Sequence, residues 1–236
     1  MLPTGQPGIV LVKNNTKKVT MKNIKLYSTV IALVLSWMAS AQSNNDSMKK
    51  AIEKAKSDLL EIIEVSGKDF DFGISAEQLR SSQAQSTIVC QNADFDKLVT
   101  MVVDSLNNSI NPILSKSERM LVPFVNQNKV VATIMLVANE KGEITAGELL
   151  NQQYVAELNA LPAEIKQKGF AGLSLITVPN LRATIYYVDG NMYTSYNGRS
   201  LRQPQDPTMF LQSLVVDAKR IQEQYGSLLK ERKLLD

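Results

Sequence analysis

Two stretches of the chain carry the clearest periodicity. Met48, Ile52, Ala55, Leu59, Ile62 and Ile63 recur at the three- and four-residue intervals of one helix face. Ahead of them, Asn44, Asn45, Asp46 and Ser47 offer side-chain oxygens to the free N–H groups of a first turn. The spacing predicts a helix over about 47–64, ended by Gly67 and the acidic-aromatic KDFDFG run. Near the other end, Asp206-Pro207 places a capping carboxylate before a proline at the first helical position. Phe210, Leu211, Leu214, Ala218, Ile221 and Tyr225 then repeat with helical period up to Gly226.

Between these helices the period shortens to two. Ser86–Gln91 alternates Ile88 and Cys90 with Thr87 and Val89, as a strand does. Met120–Val125 and Val130–Ala138 flank the polar Asn126-Gln127-Asn128-Lys129 and predict an antiparallel hairpin. Pro123 lies inside the first run and cannot donate to a ladder, so that strand is expected at a sheet edge. Leu173–Val178, Ala183–Val188 and Met192–Tyr196, joined by Pro179-Asn180 and Asp189-Gly190-Asn191, predict a three-strand meander.

The remaining segments are shorter. Ser75-Ala76-Glu77-Gln78 fits a capping box. Asp94 caps a helix whose apolar stripe, Phe95, Leu98, Val102, Leu106 and Ile110, ends at Asn111-Pro112. Thr145-Ala146-Gly147-Glu148 matches another capping box, although Ile144 and Gly147 also suit a strand end; a helix from about 148 is expected, burying Leu150, Tyr154, Leu158 and Leu161. Pro162 either kinks it or opens a second short piece. Strands interleaved with helices without βαβ alternation predict an α+β fold, an antiparallel sheet (hairpin plus three-strand meander) packed with about four helices. One domain is expected over 42–236, with a subdivision near 111–118 as the alternative.

Targeting precedes all of this. From Met21, Lys22 and Lys25 stand before an uncharged apolar run, Ser28–Trp37, followed by Ala39-Ser40-Ala41. This is the pattern of a secretory signal peptide over 21–41, cleaved before Gln42. The apolar run is too short for the roughly 20 residues of a membrane-spanning helix. Residues 1–20 have no pattern of their own, and Met21 is read as the initiator. The expected location of this bacterial-type export is the periplasm or the extracellular space, with no transmembrane anchor after cleavage.

Composition narrows the chemistry. The 236 residues include no histidine and one cysteine, which excludes Ser-His and Cys-His catalysis, histidine-ligated metals and an intrachain disulfide. The formal charge of +3 owes its sign to Lys13, Lys17, Lys18, Lys22 and Lys25; without them 21 basic residues face 23 acidic ones, a formal −2. No basic stripe remains to engage nucleic acid. Cys90 alternates in phase with Ile88 and has no base beside it, so it reads as a packed structural residue. Asp69-x-Asp71 and Asp94-x-Asp96 lack the glycine and glutamate of a calcium loop, and no metal or cofactor is expected.

Ser47-x-x-Lys50 has Ser-Lys spacing without the supporting motifs, and Ser47 reads more simply as an N-cap. Ser174 sits in a run that fails the nucleophile elbow, so it is a strand residue. Glu77, Glu140, Glu143 and Glu148 are available carboxylates with nothing to pair them. Asn14, Asn45 and Asn107 stand in glycosylation sequons, a weak three-residue pattern. Tyr186, Tyr187, Tyr193 and Tyr196 bracket Asp189-Gly190-Asn191, and outward tyrosines there would form a recognition platform. Against this stands packing on the core; Tyr186 and Tyr187 must in any case face opposite sides of their strand. Elimination leaves a secreted non-catalytic module for an unknown protein or small-molecule ligand, with a histidine-free hydrolase and a protease-inhibitor or pro-domain-like protein as alternatives.

Overall fold

The computed structural model describes residues 46–67, 69–104, 109–115 and 118–230, the side chains of 227–230 excepted. The signal segment, residues 1–20 and the expected cleavage point lie outside them. From Ser47 onward the described residues belong to one compact unit. Among the described residues no helix is long and apolar enough to cross a membrane.

The fold is mixed α/β, built on one eight-stranded sheet. In chain order the strands are β1 Gln83–Ala84, β2 Ile88–Asn92, β3 Arg119–Asn126, β4 Lys129–Ala138, β5 Ile144–Glu148, β6 Ser174–Val178, β7 Ala183–Val188 and β8 Asn191–Tyr193. In space they run β5-β4-β3-β2-β6-β7-β8, with β1 also paired to β3. Every pairing is antiparallel except β2 with β6, where Cys90 stands opposite Leu175 and Asn92 opposite Thr177. The expected hairpin (β3–β4) and meander (β6–β7–β8) are both present, and this single parallel seam, centred on β2, joins them.

Both tight hairpins use the turn that matches strand twist. Gln127 and Asn128 have φ of 49° and 62°, and Asp189 and Gly190 have 50° and 79°, the positive pairs of type I′ turns. The proline of β3 departs from expectation, because β3 is an interior strand. In an antiparallel strand a residue's nitrogen and carbonyl point to the same side, and the Pro123 carbonyl accepts from Gln85 N at 2.9 Å. Its missing N–H therefore faces the break between β1 and β2, where no ladder partner requires it.

Among the described residues six α-helices flank the sheet, against about four expected: α1 over 46–66, α2 Ala76–Arg80, α3 Phe95–Thr100, α4 Gln152–Ala160, α5 Ala163–Gln167 and α6 Pro207–Lys230. The Ser75–Gln78 capping box and the Asp94 cap form as read. Asp46 is already helical, so Ser47 lies inside α1 rather than capping it. Helix α3 stops at Thr100: the threonine hydroxyl donates back to Asp96 and Lys97 carbonyls, and Met101 turns extended. Val102, expected on the stripe, is exposed, and Leu106 lies outside the described residues.

Thr145–Glu148 forms β5 instead of a capping box. A Cβ on Gly147 would lie 2.7 Å from Val137 Cγ2, so glycine there permits the close approach of β5 to β4. The helix follows later, capped by Asn151 through Tyr154 N. Pro162 opens the separate α5. Helix α6 runs through Gly226, where one glycine costs only about 1 kcal/mol.

Apolar residues divide by face. On one side Ile88, Cys90, Leu121, Met135, Leu175, Tyr186 and Val188 pack with Leu158, Leu161 and Ile165 of the α4–α5 segment. On the other side there are two clusters. Val122, Phe124, Ala132, Ile134 and Leu136 meet α1 and α2, while Ile176, Val178, Ala183, Ile185 and Met192 meet α3 and α6.

Candidate functional site

Cross-strand register brings one row of side chains together on the α4 face: Val137 of β4, Arg119 of β3, Cys90 of β2 and Leu175 of β6. Thr177 and Asn92 form the next row. Helix α4 covers only part of this face, and the uncovered end is a cavity of about 280 Å³. Its lining divides into apolar Val137, Met135, Leu175 and Cys90, and polar Arg119, Glu118, Ser115, Asn92 and Thr177, with Tyr154 of α4 at its side.

The polar rim is organised by short bonds. Thr177 Oγ1 donates to Asn92 Oδ1 at 2.6 Å, and Ser115 Oγ donates to the Asn92 carbonyl at 2.9 Å. The second contact holds Ser115, two residues past the 3₁₀ turn Asn111–Ile113, over the end of β2. On the floor, Cys90 Sγ lies 3.8 Å from Met135 Sδ. Burial pushes the Cys90 thiol from 9.0 up to about 11, although the Arg119 charge pulls the other way. Buried against Met135, the thiol packs as a small apolar group, the place expected for a structural cysteine.

Tyr154 is half-buried, and burial raises its pKa with Cys90, Arg119, Glu148 and Glu157 all within electrostatic reach. Deeper on the same face, Tyr186 donates its hydroxyl to Glu157 Oε2 at 2.9 Å, while Gln153 Nε2 donates to Oε1 at 3.0 Å. Both carboxylate oxygens of this buried glutamate are thus satisfied, and burial together with the Glu157 charge holds the Tyr186 phenol well above its usual pKa.

The four tyrosines singled out from the sequence do not share a surface. Tyr186 and Tyr193 are buried on the α4 face. Tyr187 and Tyr196 are half-buried against the α6 cluster on the other. Tyr196 donates to Asp217 Oδ2 at 2.9 Å, where Asn197 and Arg220 also bond. The geometry offers the four as packing and hydrogen-bonding groups, two to each side, rather than as one exposed aromatic face. Alternation along β7 made the separation of Tyr186 from Tyr187 certain; only the helices on both faces decide that neither points into solvent.

The other candidates are dispersed. Glu77 is on α2, Glu140 and Glu143 flank the β4–β5 turn, and Glu148 ends β5; all four are exposed. Glu143 accepts from Asn139 and Glu148 from Asn151. Ser47 and Lys50 lie on α1, and Ser174 opens β6 as a strand residue. Asp94 is occupied as a cap, and Asp71 closes a local turn onto Gly73 N at 2.8 Å. A wider depression of about 700 Å³ lies beside Phe70 and Phe72, but the Ser75 and Gln78 side chains there are spent on the capping box.

No protein-family model, no curated protein and no solved structure matches the chain. Sequence reasoning missed the cavity because its residues come from four strands, a helix and a connecting turn. The one local trace was Glu118-Arg119, a charged pair directly before an apolar strand.

Proposed function

We propose that the chain is an exported, non-catalytic module that binds a small ligand in the cavity beside α4. The observation that carries this reading is the cavity itself. Its floor is built from paired sheet residues, which are rigid, and it combines an apolar base with a few convergent polar groups. Its volume of about 280 Å³ suits a small metabolite better than a peptide. The neutral Cys90 thiol supports binding over thiol chemistry, and the separated carboxylates lend nothing to the hydrolase alternative.

Export rests on the 21–41 segment. Intact mass of the secreted protein is expected to begin at Gln42; retention of 22–41 would refute the assignment. For the ligand, native mass spectrometry of protein isolated from its own compartment is expected to detect a bound small molecule that is lost in Val137→Trp, where the indole fills the cavity. Equal retention by wild type and variant would place the ligand elsewhere.

One observation favours a second reading. Strand β5 ends the sheet, and Thr145–Glu148 is exposed along it, which suits strand addition to a protein partner. Cross-linking in the native compartment that captures a protein through β5 residues would support this inhibitor-like role over the small-ligand one.

A further inference from the structure

Resting on the cavity as a ligand site, we propose that its ligand is a small aliphatic carboxylate, the carboxylate held by Arg119 and the apolar chain laid against Leu175, Val137, Met135 and Cys90. Register decides which charge faces the cavity. Arg119 stands opposite Cys90 of β2 and Val137 of β4, which line the cavity with it, so its side chain leaves the same face of the sheet. Its charge reaches both the Cys90 thiol and the Tyr154 phenol, which places the guanidinium at this end of the sheet. Glu118, one residue earlier, turns to the opposite face by alternation, and its carbonyl takes Ala138 N at 2.8 Å. Among the described residues that line the cavity, Arg119 is therefore the one formal charge on this face.

The rim adds proton donors. Ser115 Oγ and Thr177 Oγ1 donate to the Asn92 carbonyl and to its Oδ1, which leaves the Nδ2 protons as the unspent group of that side chain. Tyr154 supplies a hydroxyl beside them. The guanidinium carries five N–H donors in a fork matched to a carboxylate, so a contact it already makes within the protein leaves others for the ligand. An amine would be repelled by the guanidinium, and an alcohol forgoes the charge-assisted bond. The carboxylates within reach of Tyr154 do not compete: Glu157 is spent on Tyr186 and Gln153, Glu148 accepts from Asn151, and neither lines the cavity.

The floor decides the rest of the molecule. Leu175, Val137, Met135 and Cys90, the last two in sulfur contact, form an apolar base for a hydrocarbon chain. A second charge on that chain would be desolvated there without a partner. At about 280 Å³ the space suits a short chain and not a long-chain fatty acid.

Calorimetric titration of the purified protein with 4-methylpentanoate, and with the amide, alcohol and amine of the same carbon skeleton, tests the assignment. The acid is expected to bind about tenfold or more tighter than the other three, and acetate, which lacks the chain, about tenfold or more weaker than the acid. Arg119→Gln is expected to weaken acid binding about tenfold or more and to leave the alcohol unchanged. Asn92→Asp keeps an acceptor for Thr177 and sets a negative charge beside the ligand, with the same expected selectivity. Both positions are exposed, so both variants are expected to keep the native thermal midpoint. Should Arg119→Gln lower it, Asn92→Asp decides.

If the amide, alcohol or amine binds as well as the acid, or the deciding variant binds the acid as well as wild type does, the carboxylate assignment is overturned; loss of that binding in Val137→Trp leaves the cavity reading standing. Acetate binding as tight as 4-methylpentanoate overturns the aliphatic half of the assignment. If none of the five binds, the assignment is overturned, and the cavity reading is judged by the co-isolated molecule and Val137→Trp, or by exposed Ser115→Trp should the first variant fail to fold.

Discussion

The two faces of the sheet solve the same burial problem differently. On one face a single layer, α4 with α5, covers the middle of the sheet and leaves an end open as the cavity. On the other, α1–α2 and α3–α6 cover the two halves separately, so that strand β2 lies between two apolar clusters. The contrast can be read on one strand. Ile88 and Cys90 are 0% and 8% exposed under the continuous layer, whereas Val89 between them, facing the gap, is 43% exposed. Polar chemistry follows the same division. The continuous layer buries Tyr186 on Glu157 within it, while Asp217 ties Tyr196 and Asn197 to α6 at the rim of its cluster. A layer that spans the sheet can enclose a polar site; two separate layers mainly staple helices to strands.

The largest test of this contrast is in the α1–α2 cluster. Phe124→Ala removes a fully buried ring and is expected to cost about 3–5 kcal/mol in urea unfolding. If the two clusters are energetically separate, combining Ile134→Val with Ile185→Val should give the sum of the single effects to within about 0.5 kcal/mol. A coupling well above that would mean the gap over β2 does not divide them.

Next in size is the buried hydroxyl. Tyr186→Phe leaves Glu157 Oε2 without its donor and is expected to cost about 1–3 kcal/mol. Tyr196→Phe is expected to cost less, because Asp217 keeps Asn197 and Arg220. Equal losses would erase the distinction between an enclosed and a rim network.

Alkali probes the same groups. Cys90 is raised from 9.0 to about 11 and Tyr196 from 10.0 to about 12, each chiefly by burial, and Tyr186 is held well above its usual value, also chiefly by burial. Their protons leave the unfolded chain first, so the stability they contribute is full below pH 9 and is lost as pH rises through the window from 9 to 12. Denaturation midpoints are expected to fall across that window, and less steeply in Tyr186→Phe. An unchanged slope would show that the phenol does not titrate with unfolding.

The smallest expected effects lie on β2. Cys90→Ala is expected to cost about 1 kcal/mol through a small cavity, and maleimide should label the native thiol slowly. Val89→Thr, one residue away on the other face, is expected to stay within about 0.5 kcal/mol of wild type. Reversal of this order would invert the assignment of the two faces.

Local signals carried much of this architecture. The capping oxygens of Ser75, Asp94 and Asp206, the type I′ turns and the apolar periods of α1 and α6 act over three or four residues, so the chain alone specified those elements. It also specified that Tyr186 and Tyr187 part company, because alternation is a property of any strand. Where two local preferences competed, the tertiary structure chose: Thr145–Glu148 became a strand because Gly147 lets β5 close on Val137, and Pro123 entered an interior strand because its neighbour breaks opposite it. The parallel pairing of β2 with β6 joins residues more than eighty positions apart, and no period within either strand names its partner. The cavity depends on that pairing. Arg119, Cys90, Tyr154 and Leu175 become neighbours only when register places them so, since long-range contact is a property of the packed sheet and not of any segment within it.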